Sequence, residues 1–134
     1  MGYMTNGLSF NTLRNANVKR LPQFKNKHGN PAHSKDDGSD WIPAQWLQAV
    51  AGELGEYANI RKKFERGDID ADEFKNLAAE ELADVITYLD ILAFQLGIDL
   101  GQAVKDKFNF ISNRVGSNVI IGDDDDWHYA EQTP

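Results

Sequence analysis

The sequence predicts an all-α fold, a four-helix-type bundle in a single domain, from two observations that a third makes specific. Between Pro43 and Gly116 apolar residues recur at the spacing of one helix face. The stretches that carry them open on capping residues or proline and stop at Gly67, Gly97 and Gly116. The third observation is four acids among those apolar residues: Glu53 and Glu56 on one expected helix, Glu81 and Asp84 on the next.

In chain order, Ser9 is placed to cap a first helix over Phe10–Arg20, with Phe10, Leu13 and Asn17 on one face and Pro22 just past its end. Arg14, Lys19 and Arg20 make this the most basic segment. It is either a solvated face or the place from which Arg20 reaches a phosphate. Residues 24–40, rich in Lys, Asn, His, Gly, Ser and Asp, are expected to form a long loop. Its histidines, His28 and His33, lack a partner at helical ligand spacing and are expected to be solvated.

The helical core is expected over residues 43–116. The second helix enters at Pro43, where the missing N–H costs nothing, and runs to Arg66 before Gly67. Gly52 and Gly55 inside it cost about 1 kcal/mol each relative to alanine, which suggests close backbone approach beside the acids. Asp70 and Glu73 form a capping-box pattern for the third helix, which runs to Leu96 and ends at Gly97. Asp99 caps the fourth, whose apolar face is Leu100, Val104, Phe108, Ile111 and Val115. Beyond Gly116, Asn118–Ile121 suits a short extended segment packed on the bundle, and the rest of residues 117–134, with aspartates at 123–126, suits a solvated acidic tail.

Where the acids point decides their chemistry. At about 100° per residue with Glu53 as zero, Trp46 and Phe64 fall at about 20°, Tyr57 at about 40°, Val50 at about 60° and Ile42 and Ile60 at about 340°. With Glu81 as zero, Phe74 and Leu92 fall at about 20°, Val85 at about 40°, Leu96 at about 60° and Leu77 at about 320°. Glu53 and Glu81 are thus central in their stripes, and Glu56 and Asp84 flank them at i+3. Carboxylates facing a core need a counter-charge. Neither stripe supplies Lys or Arg at that level, so a hard divalent cation with oxygen ligands fits, Mg²⁺ best, with Mn²⁺ a substitute. Lys63 lies on the flank of Glu56, and Lys107 and Arg114 lie two turns apart on the fourth helix, as a polyphosphate site would need.

The remaining composition narrows the class. A net charge of −7 argues against nucleic-acid binding, which depends on Lys and Arg at phosphates. The absence of cysteine excludes disulfides, thiolate metal sites and thiol catalysis. With no apolar run near twenty residues and no leader-like start, the expectation is a soluble, cytoplasmic chain without membrane partners.

The pattern Glu53-x-x-Glu56 followed by Glu81-x-x-Asp84 resembles the signature of the MazG-like, all-α nucleotide pyrophosphohydrolases, relatives of the dimeric dUTPases and phosphoribosyl-ATP pyrophosphohydrolases. The stretches Ala51–Glu56, Glu81–Asp90, Lys107–Asn109 and Ser112–Gly116 are similar to the phage and bacterial branch. The resemblance covers Trp41–Gly116 and touches the first helix at Asn17 and Arg20; it does not cover the loop or the tail. It implies Mg²⁺-dependent cleavage of a nucleoside triphosphate between the α and β phosphates, giving a monophosphate and pyrophosphate. It makes Glu53, Glu56, Glu81 and Asp84 ligands or the water-positioning base. Lys63, Lys107, Arg114 and Arg20 would neutralise the triphosphate, and Trp41, Asn59 and Tyr88 would meet the base, while Trp46 suits the core.

Helices this apolar in a short chain suggest a homodimer or homotetramer. Two alternatives stand beside the hydrolase: a non-enzymatic helical pairing module, and a di-metal carboxylate bundle. The second would use Glu-x-x-His, and no histidine lies between Pro43 and Gly116.

Overall fold

A computed structural model of the chain describes residues 6–25, 28–29 and 41–131. Most of the expected loop at 24–40, His33 included, lies outside the described residues; His28 is exposed. The described residues are mostly helical, in helices α1 (Phe10–Arg20), α2 (Pro43–Glu65), α3 (Ala71–Gln95) and α4 (Leu100–Arg114), followed by two short strands, β1 (Val119–Ile121) and β2 (Trp127–Tyr129). None of these helices is long and apolar enough to cross a membrane.

Each helix boundary has a local cause. The hydroxyl of Ser9 accepts from the Thr12 N–H, the Asp70 carboxylate from Glu73 N–H, and the Asp99 carboxylate from Gln102 N–H. At the start of α2 the side chain of Gln45 reaches back to accept the Ile42 N–H at 2.9 Å. Gly67, Gly97 and Gly116 follow the last turns of α2, α3 and α4 with φ of 81°, 71° and 75°. A side chain would strain that left-handed backbone, so glycine ends the helix there.

By their contacts the residues group into two compact units, residues 1–97 and 98–134. In the first, α2 and α3 form an antiparallel hairpin and α1 lies on α3. Phe64 stacks on Phe74 with centroids 4.6 Å apart near the turn, while Trp46 meets Tyr88 at 6.1 Å toward the other end. Leu21, Trp46 and Ile91 form the buried core, with Trp41, Tyr88 and Leu92 packed against it. Inward positions on α2 run Trp46, Val50, Glu53, Tyr57, Ile60 and Phe64, a single helical stripe with an acid in its middle. The stripe ends differ from the sequence expectation, because Ile42 and Leu96 are exposed where the hairpin finishes.

The first helix also departs from the expectation of a basic, solvated face. Arg14 is half-buried, and its Nε lies 3.1 and 3.2 Å from the two carboxylate oxygens of Asp90, which is almost wholly buried. Buried Asn17 adds bonds to Asp90 Oδ2 at 3.0 Å and to the Thr87 carbonyl at 3.3 Å. An ionised carboxylate this deep persists only when paired and hydrogen-bonded, and α1 supplies both partners.

In the second unit the acidic tail is not merely solvated. Residues 119–129 fold into an antiparallel hairpin, with Val119 opposite Tyr129, Ile120 opposite His128 and Ile121 opposite Trp127. Aspartates 123–126 form its turn, where Asp125 takes φ 61° and pairs with Lys105. The side-chain amide of Asn109 on α4 donates to the Ile121 carbonyl at 2.9 Å, and its oxygen accepts the Ile121 N–H at 2.8 Å. The expected apolar face of α4 is largely exposed at Val104, Phe108, Ile111 and Val115.

Candidate metal centre

Glu53 and Glu81 sit at the same level of the α2–α3 hairpin, each half-buried in its inward stripe. One carboxylate oxygen each from Glu53, Glu81 and Asp84 lies within 4.8 Å of the others. Asp84, one turn after Glu81, is exposed at the stripe's edge, as is Glu56 one turn after Glu53. Glu56 stands outside that triad of oxygens but close enough to act on both glutamates electrostatically.

The protonation equilibria show the crowding. The Glu53 carboxyl is pushed up to about 7, first by a hydrogen bond shared with Glu81, then by burial, then by the hydrogen bond and charge of Glu56 and the charge of Asp84. Glu81 is also raised: the bond to Glu53 pulls it down, but burial and the neighbouring Glu56 and Asp84 outweigh that. Carboxylates crowded together cannot all ionise cheaply, which is why both are raised. Oε2 of Glu81 is buried and meets no hydrogen-bond donor among the described residues. A buried carboxylate oxygen without a donor needs a cation or a proton, and an all-oxygen, anionic donor set suits a hard divalent ion.

The other candidates divide by position. Tyr88 is beside the acids, its phenol raised by burial and by the negative charges of Glu53 and Asp84, with Arg20 acting in the opposite direction. That puts Arg20, at the end of α1, within electrostatic reach of the Tyr88 phenol. Its guanidinium also stands 5.5 Å from the Phe24 ring, in an open cleft lined with Gln23. Trp41 packs on Trp46 with centroids 4.7 Å apart, and its carbonyl accepts from the side chain of Gln95. Trp46 is fully buried.

Asn59 and Lys63 are exposed further along α2, and among the described residues Lys63 makes no hydrogen bond or ion pair with the acids. Lys107 and Arg114 lie exposed on α4 in the second unit, with the Lys107 ammonium 5.0 Å from the Phe110 ring. Crowding does not explain Gly52 and Gly55, contrary to the sequence expectation. Among the described residues nothing stands within 4 Å of where a Cβ would be at either position.

Two polar residues with structural duties escaped the sequence reading. Asp90 lies about 180° around α3 from Glu81, the side that would be solvated on a one-faced helix. The signal was the continuous apolar run about it, which marks a helix packed on more than one side. Asn109 carried no local signal, because its partner is a strand backbone twelve residues on. No protein-family model matches the chain, and no curated protein matches it.

Proposed function

We propose that the chain is a magnesium-dependent nucleoside triphosphate pyrophosphohydrolase that cleaves between the α and β phosphates and releases pyrophosphate. The observation that carries this is the convergence of Glu53, Glu81 and Asp84 oxygens within 4.8 Å, with Oε2 of Glu81 buried and without a donor. The resemblance of Glu53-x-x-Glu56 and Glu81-x-x-Asp84 to MazG-like hydrolases supplies the substrate class. Glu53, Glu81 and Asp84 hold the ion, and Glu56 completes the set or orients water. When bound, Mg²⁺ or Mn²⁺ would polarise the phosphate and acidify a coordinated water.

The chain's own groups do the rest. The half-buried glutamates hold their oxygens on two packed helices, so little reorganisation is needed when charge develops. Arg20 and Lys63 neutralise the triphosphate. Trp41 offers an aromatic face and Tyr88 and Asn59 offer polar atoms to the base. A homodimer or homotetramer goes with this function: Leu47 and Leu54 on α2 and Leu82 and Ile86 on α3 are exposed apolar residues.

Pyrophosphate release from a panel of ribo- and deoxyribonucleoside triphosphates with Mg²⁺ tests the proposal. Activity should fall by about 10²-fold or more in Glu53→Ala and Asp84→Ala while circular dichroism shows the fold retained. Full activity in both variants refutes it. The exposed apolar faces also suit a pairing module without catalysis; no divalent binding by calorimetry, alone or with nucleotide, would favour that second role.

A further inference from the structure

The β1–β2 hairpin has two outer edges, and they differ. Ladder bonds within the hairpin run through the even positions: Gly122 N–H donates to the Asp126 carbonyl at 2.9 Å, and Ala130 N–H donates to the Asn118 carbonyl. By the alternation of an antiparallel pair, residues 119 and 121 turn their backbone groups outward from β1, and residues 127 and 129 turn theirs outward from β2. On β1 the side chain of Asn109 takes both outward groups of Ile121, standing where a third strand would.

On β2 two outward groups are satisfied locally: Trp127 N–H donates to Asp126 Oδ1 at 2.8 Å, and the Tyr129 carbonyl lies 3.3 Å from His128 Nδ1. The Trp127 carbonyl and the Tyr129 N–H meet no partner among the described residues. Beside them the Trp127 and Tyr129 rings, 57% and 62% exposed, form an edge-to-face pair at 5.3 Å. Unpaired edge groups with exposed aromatic side chains are a template for another strand.

We propose that β2 is an interaction surface for β2 of a second copy of this chain, joined antiparallel about a two-fold axis at His128. The open and the locally capped groups together are complementary to the same edge of a second copy, where the same two groups are capped. Of the open groups one is a donor and one an acceptor, two residues apart, and a two-fold axis between them brings each Tyr129 N–H to the other copy's Trp127 carbonyl. Both bonds form without disturbing the local caps. The same axis sets Trp127 opposite Tyr129 of the second copy, on one face of a four-stranded sheet. Charge agrees with this direction. The aspartate turn at 123–126 would repel its own kind side by side, and antiparallel pairing carries the two turns to opposite ends.

A disulfide test uses the full chain, which has no native cysteine. In the proposed pairing residue 128 faces its own copy as a non-hydrogen-bonded pair, with Cα atoms about 4.5 Å apart, a separation a disulfide spans. Residue 124 lies roughly 26 Å from its copy, at ~3.3 Å per residue. Under mild oxidation His128→Cys should form a covalent dimer at least about tenfold faster than Asp124→Cys, and adding Tyr129→Pro, which removes the outward donor, should abolish the difference. Equal rates for the two cysteines, or no dimer from His128→Cys, overturn the proposal.

Hydrogen exchange of the Tyr129 amide in the unmodified chain gives a second readout. Protection that is lost on dilution supports a second copy. Protection unchanged at every concentration means that the chain's own segment covers the edge, and no protection at any concentration means that nothing does; both overturn the proposal.

Discussion

A carboxylate oxygen of Glu53 on α2 lies within 4.8 Å of one of Glu81 on α3, on facing stripes of one helical hairpin. Like charges held that close store repulsion in the metal-free chain, relieved by a proton or by a cation. Glu53 titrates near 7 when folded against an ordinary value of 4.5. The folded chain therefore binds the extra proton between those values. The associated stability is complete below the lower value and is lost as pH rises through the upper one, and the raised Glu81 acts in the same sense.

In the absence of divalent ions, the melting temperature should fall as pH rises from about 5 to about 7.5. Glu53→Gln should flatten that dependence and stabilise the metal-free chain by roughly 1 kcal/mol at the upper pH, a modest figure because the group is only half-buried. Millimolar Mg²⁺ should flatten it in the unmodified chain by binding the folded form. Calorimetric melting across pH, with and without Mg²⁺, checks all three. A melting temperature indifferent to pH would remove the electrostatic basis for the site.

The Arg14–Asp90 pair joins α1 to α3 through a nearly solvent-free carboxylate. Arg14→Ala leaves that charge with Asn17 alone and should cost about 3 kcal/mol in urea unfolding. Asp90→Leu combined with Arg14→Leu removes both charges and should recover a large part of the loss. If the single and double variants are equally unstable, the cost lies in packing and not in the stranded charge.

The helices were legible because their ends are written locally. Ser9, Asp70 and Asp99 bond to backbone N–H groups three residues on, and each closing glycine needs only its own φ. The inward placement of Glu53 and Glu81 was legible for a similar reason, since helical periodicity fixes direction without knowledge of the partner. What could not be read depends on distant groups. Asp90 carries no local mark of its role, because its partners Arg14 and Asn17 lie on α1, far away in the chain. The run at 123–126 suited a solvated acidic tail, although Val119–Ile121 and Trp127–Tyr129 on either side are β-forming residues around a Gly-Asp turn. Charge density outweighed strand propensity there, and Lys105 and Asn109, which anchor the hairpin, lie back on α4.

Among the described residues nothing fills the space where a side chain at Gly52 or Gly55 would stand, and both lie inside α2. Gly52→Ala and Gly55→Ala should each raise the stability of the folded chain by up to about 1 kcal/mol, by removing unfolded-state freedom and favouring helix. Thermal melting gives the sign directly. Destabilisation of either variant would mean that another molecule or another copy presses on that surface of α2.

Asn109 closes the outer edge of β1 with two hydrogen bonds from a single side chain. A two-stranded hairpin is marginal by itself in water, so its anchoring to α4 should depend heavily on this amide. Asn109→Ala removes both bonds and leaves the half-buried Ile121 N–H and carbonyl unpaired, at a cost of about 1–3 kcal/mol. Asn109→Asp keeps the acceptor but loses the donor to the Ile121 carbonyl, and should fall between the two. The loss should be local: backbone amides of β1 and β2 should exchange faster while those of α2 and α3 are unchanged. Exchange of the β1 and β2 amides no faster than in the unmodified chain would show instead that Asn109 does not anchor the hairpin.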